Sequence, residues 1–175
     1  NERAELLESR WLWSRAGRTY VYSFSLFLPK DFEESSERLV IAQWKQDCEI
    51  EPCRPDNPVL AVRYEDGVLL VTREDADGHR VVLYQGSQDV RGRWLDFRFV
   101  TRFDVTDQGS IDATLDGHSI IHYRGATLYP AADGYPLRSR VYFKTGLYRD
   151  ALHQPPWTLY VDEYRKDQCD NDGCR

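Results

Sequence analysis

Along this chain the apolar residues recur at every second position in short runs, and each run ends at turn-forming residues. A period of two is the mark of a strand with one face buried. In residues 19–28, Tyr20, Tyr22, Phe24, Leu26 and Leu28 fall on one side and Ser23 and Ser25 on the other. Residues 39–46 put Val40, Ala42 and Trp44 on one face and Leu39, Ile41, Gln43 and Lys45 on the other. Residues 59–64 and 68–73 flank Glu65-Asp66-Gly67, a hairpin signal, and Asp77-Gly78 leads into residues 81–84. Leu95, Phe97, Phe99 and Phe103 line one face of residues 94–103, while residues 111–115 and 119–123 meet at Asp116-Gly117. A short run at residues 3–6 opens the series and residues 157–165 close it; only residues 31–38 are long and polar enough for a helical turn. Many short alternating strands joined by turns predict an all-β chain, an antiparallel β-sandwich forming one domain over residues 1–175.

One run differs from the rest. In Val141-Tyr142-Phe143-Lys144-Thr145-Gly146-Leu147-Tyr148-Arg149 the alternation gives one face to Val141, Phe143, Thr145 and Leu147, and the other to Tyr142, Lys144, Gly146 and Tyr148. An ordinary half-buried strand shows Thr, Ser or Glu to solvent. This one shows two phenols and an ammonium, groups that bind an anion and move a proton; a surface strand merely coated by Tyr and Lys is the plain alternative.

Composition narrows the picture. The 175 residues include 13% aromatics, eight Pro and no Met, which favours β structure over helical bundles. No apolar run approaches the length of a membrane span, and no signal peptide is visible, although a leader removed ahead of Asn1 fits a chain that starts with strand-like residues. The net charge of −6 argues against a nucleic-acid partner. The basic residues are nineteen Arg and four Lys (Lys30, Lys45, Lys144 and Lys166). Arginine grips planar anions through a two-point fork, so a local basic groove for a polyanion is compatible with the acidic total, beside the simpler reading of Arg and Glu paired on the surface.

At this point the motifs resemble a family. Gln43-Trp44-Lys45, the strand from Tyr142 to Arg149, and Arg3-Ala4-Glu5-Leu6 resemble the Q-x-H, Y-F-K-x-G-x-Y and R-x-E-L strands of jelly-roll polysaccharide lyases, the alginate lyases included. Tyr22-Ser23-Phe24-Ser25 running to Leu28-Pro29, with Gly92-Arg93-Trp94-Leu95-Asp96-Phe97 and Leu115-Asp116-Gly117, is similar to the heparin lyase I and glucuronan lyase type. The resemblance covers nearly the whole chain, and its specific part is the Y-F-K-x-G-x-Y match. It implies a concanavalin A-like β-jelly roll whose concave sheet binds a uronic-acid polymer as a monomer, without membrane attachment. It also implies β-elimination, in which the carboxylate beside C5 is neutralised, the C5 proton removed and the O4 leaving group protonated. By the family's pattern Arg3 and Gln43 neutralise the carboxylate and Tyr148 transfers the proton; Lys144, two residues earlier on the presumed groove face, is suited to lower the phenol's pKa or to hold an acidic sugar, and Tyr142 and Arg149 are further substrate-binding candidates.

The departure from the pattern is Lys45, which stands where a histidine is usual. It is either a base or a fixed positive charge. In D-glucuronate and D-mannuronate the C5 hydrogen and the C4 oxygen lie on the same side of the ring, so Tyr148 alone can serve both steps if cations such as Lys144, Lys45 and Arg3 stabilise its phenolate. In L-guluronate, L-iduronate and D-galacturonate they lie on opposite sides, which needs a second group. Preference for glucuronate or mannuronate polymers is therefore expected. A glycoside hydrolase on the same sandwich would need paired carboxylates; Asp47, Glu49 and Glu51 alternate, but around Pro52 and the cysteines of an acidic loop. A module that holds acidic glycan without cleaving it is the third reading.

Cys48/Cys53 and Cys169/Cys174 form two pairs with four residues between partners. Zinc is the rival, but no His lies in either segment, so two local disulfides and a secreted or periplasmic location are expected. The loop at residues 167–173 gathers oxygen ligands of the kind calcium takes but lacks the closing Glu of an EF-hand; no cofactor is expected, with a structural calcium there as the alternative. Mass spectrometry of a non-reduced digest should yield Cys48–Cys53 and Cys169–Cys174 peptides; crosslinks between the two regions, or free thiols, would contradict this pairing.

Overall fold

The computed structural model describes residues 1–34, 38–47, 57–132, 137–150 and 156–169. Its strands are β1 (Glu2–Leu7), β2 (Ser14–Arg15), β3 (Thr19–Phe27), β4 (Leu39–Gln46), β5 (Leu60–Glu65), β6 (Val68–Glu74), β7 (Arg80–Gln85), β8 (Trp94–Arg102), β9 (Ser110–Leu115), β10 (His118–Arg124), β11 (Arg140–Arg149) and β12 (Tyr160–Gln168). They form two antiparallel sheets packed as a sandwich. One runs β1-β11-β4-β5-β6-β7, with β2 added to β11; the other runs β10-β9-β8-β3-β12. The only helical element among the described residues is a single turn at Arg10–Leu12, and none is long and apolar enough to cross a membrane. The turn expected within residues 31–38 does not form in their described part, where Phe32 N–H instead closes a turn on Pro29 O.

The core follows from the alternation. Trp44 on β4 meets Tyr22, Phe24, Phe99 and Phe143 with ring centroids 4.7–6.1 Å apart, joining both sheets. The expected hairpins close through Asp66-Gly67 and Asp116-Gly117, each with both residues at positive φ, the turn whose twist suits paired strands.

Two bulges change the phase that simple alternation predicts. In β4 the pairing with β5 skips Ile41, so Leu39 and Ile41 join Ala42 and Trp44 in the core, while Val40 moves to the outer face beside Gln43 and Lys45. In β12 Glu163 takes φ +53°, and Tyr164 and Lys166 turn inward. Tyr164 stacks on Phe143 at 5.3 Å, and both its hydroxyl and the Lys166 ammonium donate to Glu8 Oε1, at 2.8 and 2.6 Å. Glu8 is buried, and its other oxygen accepts from Phe143 N–H at 3.2 Å. Burial, then Glu8, pushes the Tyr164 phenol far up, and burial pulls Lys166 down against the pull of Glu8. This cluster fastens the end of β1 to both sheets.

β1 lies against β11 in continuous register, with Arg3 opposite Tyr148 and Glu5 opposite Gly146. Gly146 has φ +136°, and a Cβ there would overlap the Ala4 carbonyl and sit 2.8 Å from Glu5 Cα. Gly146→Ala should therefore cost about 2–4 kcal/mol, by strain and by displacement of β1. Urea unfolding measures this, and wild-type stability in the variant would contradict the close approach.

Candidate active site

The outer face of the seven-stranded sheet is where the polar parity of four strands coincides. The β11 alternation holds through the strand, and Tyr142, Lys144, Gly146 and Tyr148 share this face with Arg3 and Glu5 of β1, Gln43 and Lys45 of β4, and Ala61 and Arg63 of β5. Three groups stand along β11.

At one end the Tyr148 ring lies against two guanidinium groups, with Arg3 Cζ 4.4 Å and Arg38 Cζ 4.6 Å from its centroid. Arg38 Nη2 also donates to the Tyr148 hydroxyl at 3.2 Å, to Asp150 Oδ1 at 2.6 Å and to Asn1 Oδ1 at 3.2 Å. Partial burial works against the Arg38 charge, but the bonds to Asp150 and Tyr148 outweigh it and hold the group more firmly cationic than usual.

In the middle, Gln43 donates its amide hydrogen to Glu5 Oε1, and Lys144 Nζ lies 3.8 Å from Glu5 Oε2. Gln43 is directly opposite Lys144 and only 2% exposed. With one N–H of its amide held by Glu5, the carboxamide is fixed in one orientation and a second N–H is left to donate, and the Glu5 carboxylate offsets the Lys144 charge.

At the far end, Tyr142 faces Lys45 across the β4 pairing and stacks on Trp13 at 4.8 Å. Burial, then Asp47 and Glu5, raises the Tyr142 phenol, which makes it a contact surface and a poor proton carrier. Lys45 is half-buried and engaged rather than free. Tyr148 lies six positions beyond Tyr142, about 20 Å at the rise of a strand. The structure thus does not bring Lys45 to Tyr148.

Nor does it bring Arg149 to this face. Arg149 points the other way, clamps Glu2 at 2.7 Å and lies over the Trp157 ring at 4.4 Å. The expectation that Arg149 joins the sugar-binding groups is not met, because strand parity puts it on the opposite side.

Arg38 and Arg63 were not anticipated. Arg38 precedes β4, where alternation says nothing about direction. Arg63 was legible, since it shares parity with Glu65 on the strand that enters a well-signalled hairpin. It is 3% exposed, donates to Thr72 Oγ1 at 2.9 Å and pairs with Glu65 at 3.5 Å. Burial, then the neighbouring Arg80, lowers its pKa.

No described histidine lies on this face: His118 and His122 are on β10, and His79 is in the β6–β7 turn. There Asp75, Asp77 and His79 bring ligand atoms within 4.8 Å of one another, but Asp75 Oδ1 caps the backbone N–H groups of Asp77 and His79, the arrangement of a self-closed turn. Cys169 is not a free thiol; Cys48, Cys53 and Cys174, and most of the loop considered for calcium, lie outside the described residues.

A model of a family described as polysaccharide lyase matches residues 1–165. The chain belongs to that family. Among solved structures, an endo-β-1,4-glucuronan lyase from the fungus Trichoderma reesei aligns with a TM-score of 0.68 at 16% identity, over 93% of this chain and 73% of that one. Alginate lyase A1-II′ of family 7 aligns at 0.61 and 16% identity, over 95% and 71% of the two chains. AlgAT5, another family 7 alginate lyase, aligns at 0.59 and 18%, over 95% and 69%. No curated protein sequence matches significantly. At these identities the structures share the fold with the lyase described here, and the expected jelly-roll sandwich is what the strands form.

Proposed function

We propose that this lyase cleaves a uronic-acid polysaccharide by β-elimination, with Tyr148 as both base and acid, and prefers glucuronate or mannuronate polymers. The observation that carries the reading is the isolation of one phenol among guanidinium groups on the lyase face. A Tyr148 phenolate takes the C5 proton; the C–H electron pair forms the C4–C5 double bond, the C4–O4 pair leaves with oxygen, and the phenol returns the proton to O4. Arg3, one strand away and against the ring, together with the oriented Gln43 amide, neutralises the carboxylate so that charge at C5 spreads onto it. Lys144 and Tyr142 extend the face along β11 toward a neighbouring acidic sugar.

The same-side preference rests on what surrounds Tyr148. Lys45, in the place of the usual histidine, lies far up the strand, and the described residues supply no histidine on this face. One group doing both steps suits a C5 hydrogen and C4 oxygen on the same side of the ring. The neighbours in the fold act, by their names, on glucuronan and alginate, which is compatible with this class. A location outside the cytoplasm follows if the two cysteine pairs form as expected. A non-cleaving glycan-binding module is the reading the test separates.

Polyglucuronate, polymannuronate, polyguluronate, heparin and polygalacturonate should be compared by initial rates of unsaturated-product formation. The first two should be cut fastest; Tyr148→Phe should lose turnover by at least about 10²-fold while still binding polymer, and Lys45→Met should cost less than about tenfold. Faster cleavage of any of the last three polymers would contradict the same-side argument. Binding to all polymers without unsaturated product would establish the binding-module alternative.

A further inference from the structure

We propose that Arg38 is a positioning residue for catalysis: anchored by Asp150, its guanidinium holds the Tyr148 hydroxyl and stabilises the phenolate that starts the elimination. The inference rests on the reading of Tyr148 as the proton carrier.

A phenol that must first lose its proton at moderate pH needs an environment that favours the anion. Two devices supply it here. A guanidinium N–H cannot accept a hydrogen bond, so the 3.2 Å contact from Arg38 to the Tyr148 oxygen has one possible sense, donation to oxygen, and it strengthens when that oxygen becomes charged. A guanidinium against the ring also neutralises charge delocalised into it, and both Arg3 and Arg38 lie there. Arg3, however, is the group proposed for the substrate carboxylate, so during reaction Arg38 is the cation left to the phenolate.

The anchor is specific. Asp150 is two residues beyond Tyr148, at the end of β11, and its Oδ1 lies 2.6 Å from the same Nη2 that reaches the hydroxyl. This fixes the guanidinium without covering it, since 29% of the Arg38 side-chain surface stays exposed. Arg38 cannot be replaced by the Lys144 ammonium, which stands beside Glu5.

The charged groups around the phenol are Arg3 from β1, Arg38 and Asp150 from the segments flanking β4 and β11, and, one strand further, Arg63 of β5 opposite Val40. Glu2 and Arg149 pair with each other on the other side of β11. Arg63 is paired with Glu65, so Arg3 and Arg38 are the cations that touch the phenol, with Asp150 beside Arg38. Of these two, Arg38 is the one that hydrogen-bonds the oxygen.

The test uses the full chain with Arg38→Met, Arg38→Lys and Asp150→Asn, on whichever polymer the wild type cleaves. Arg38→Met should lower kcat by about ten- to a hundredfold with KM changed less than about threefold. Its ascending pH limb should move to higher pH, with Arg38→Lys recovering part of both and Asp150→Asn falling between. A residue that only supports the fold would lower the active fraction and leave the pH limb in place, and that outcome would overturn the proposal, as would wild-type kcat in Arg38→Met.

A second readout needs no turnover. The ultraviolet phenolate band that Tyr148→Phe removes should appear at lower pH in the wild type than in Arg38→Met or Arg38→Lys. If that ordering holds but no polymer yields unsaturated product, the lyase reading fails while the Arg38–Tyr148 coupling stands. If product forms and the band does not move, the coupling is wrong and the lyase reading survives.

Discussion

The arrangement depends on a close approach of two strands at Gly146. Because no Cβ stands there, the β1 backbone runs hard against β11, and the register that follows puts Arg3 across from Tyr148 and Glu5 beside Lys144 and Gln43. A side chain at that point would push β1 outward, and with it Arg3, the cation proposed for the substrate carboxylate. The far end of the same strand is held by Glu8, which ties β11 through the Phe143 amide and β12 through Tyr164 and Lys166. Breaking such a buried ion pair by removing one partner is costly because the other charge is stranded, so the anchor is stiff. A strand at the sheet edge is thereby fastened at both ends.

Charge is sorted along the face rather than spread over it. Glu5 occupies the centre, where it quiets Lys144 and fixes Gln43. The two guanidinium groups at Tyr148 keep their charge directed at one ring, and the carboxylate nearest them, Asp150, orients Arg38 from the side. At the other end burial, then Asp47 and Glu5, hold the Tyr142 phenol protonated. The result is one phenol flanked by guanidinium groups and another that burial keeps protonated, although the motif spells both with the same residue. Environment, more than residue type, separates the two roles.

Much of this was legible in the sequence because alternation is a strong signal. The parity of β11 alone placed Tyr142, Lys144, Gly146 and Tyr148 together, and the Asp-Gly turns fixed two hairpin registers. What alternation cannot carry is a change of phase. The bulge at Ile41 moves Val40 to the outer face beside Tyr148, and positive φ at Glu163 turns Tyr164 and Lys166 toward Glu8; neither leaves a glycine or proline to betray it. Residues outside strands have no parity at all, which is why Arg38 was invisible. Arg149 shows the converse: the motif drew it into the site, while the period of two, applied strictly, would have excluded it. Lys45 is where the motif departs from the family's pattern, and its distance from Tyr148 needed the cross-strand register.

The central claim is that one residue, Tyr148, addresses both the hydrogen at C5 and the oxygen at C4 of the cleaved link. A crystal structure of Tyr148→Phe with a glucuronate tetramer tests it most directly. The account expects the tetramer on the outer face of the seven-stranded sheet, with the edge of the substituted ring turned toward C5 and O4 on one side of a single sugar and that sugar's carboxylate on Arg3 and Gln43. A scissile link seated instead at Tyr142 and Lys45, or a carboxylate held away from Arg3, would contradict it.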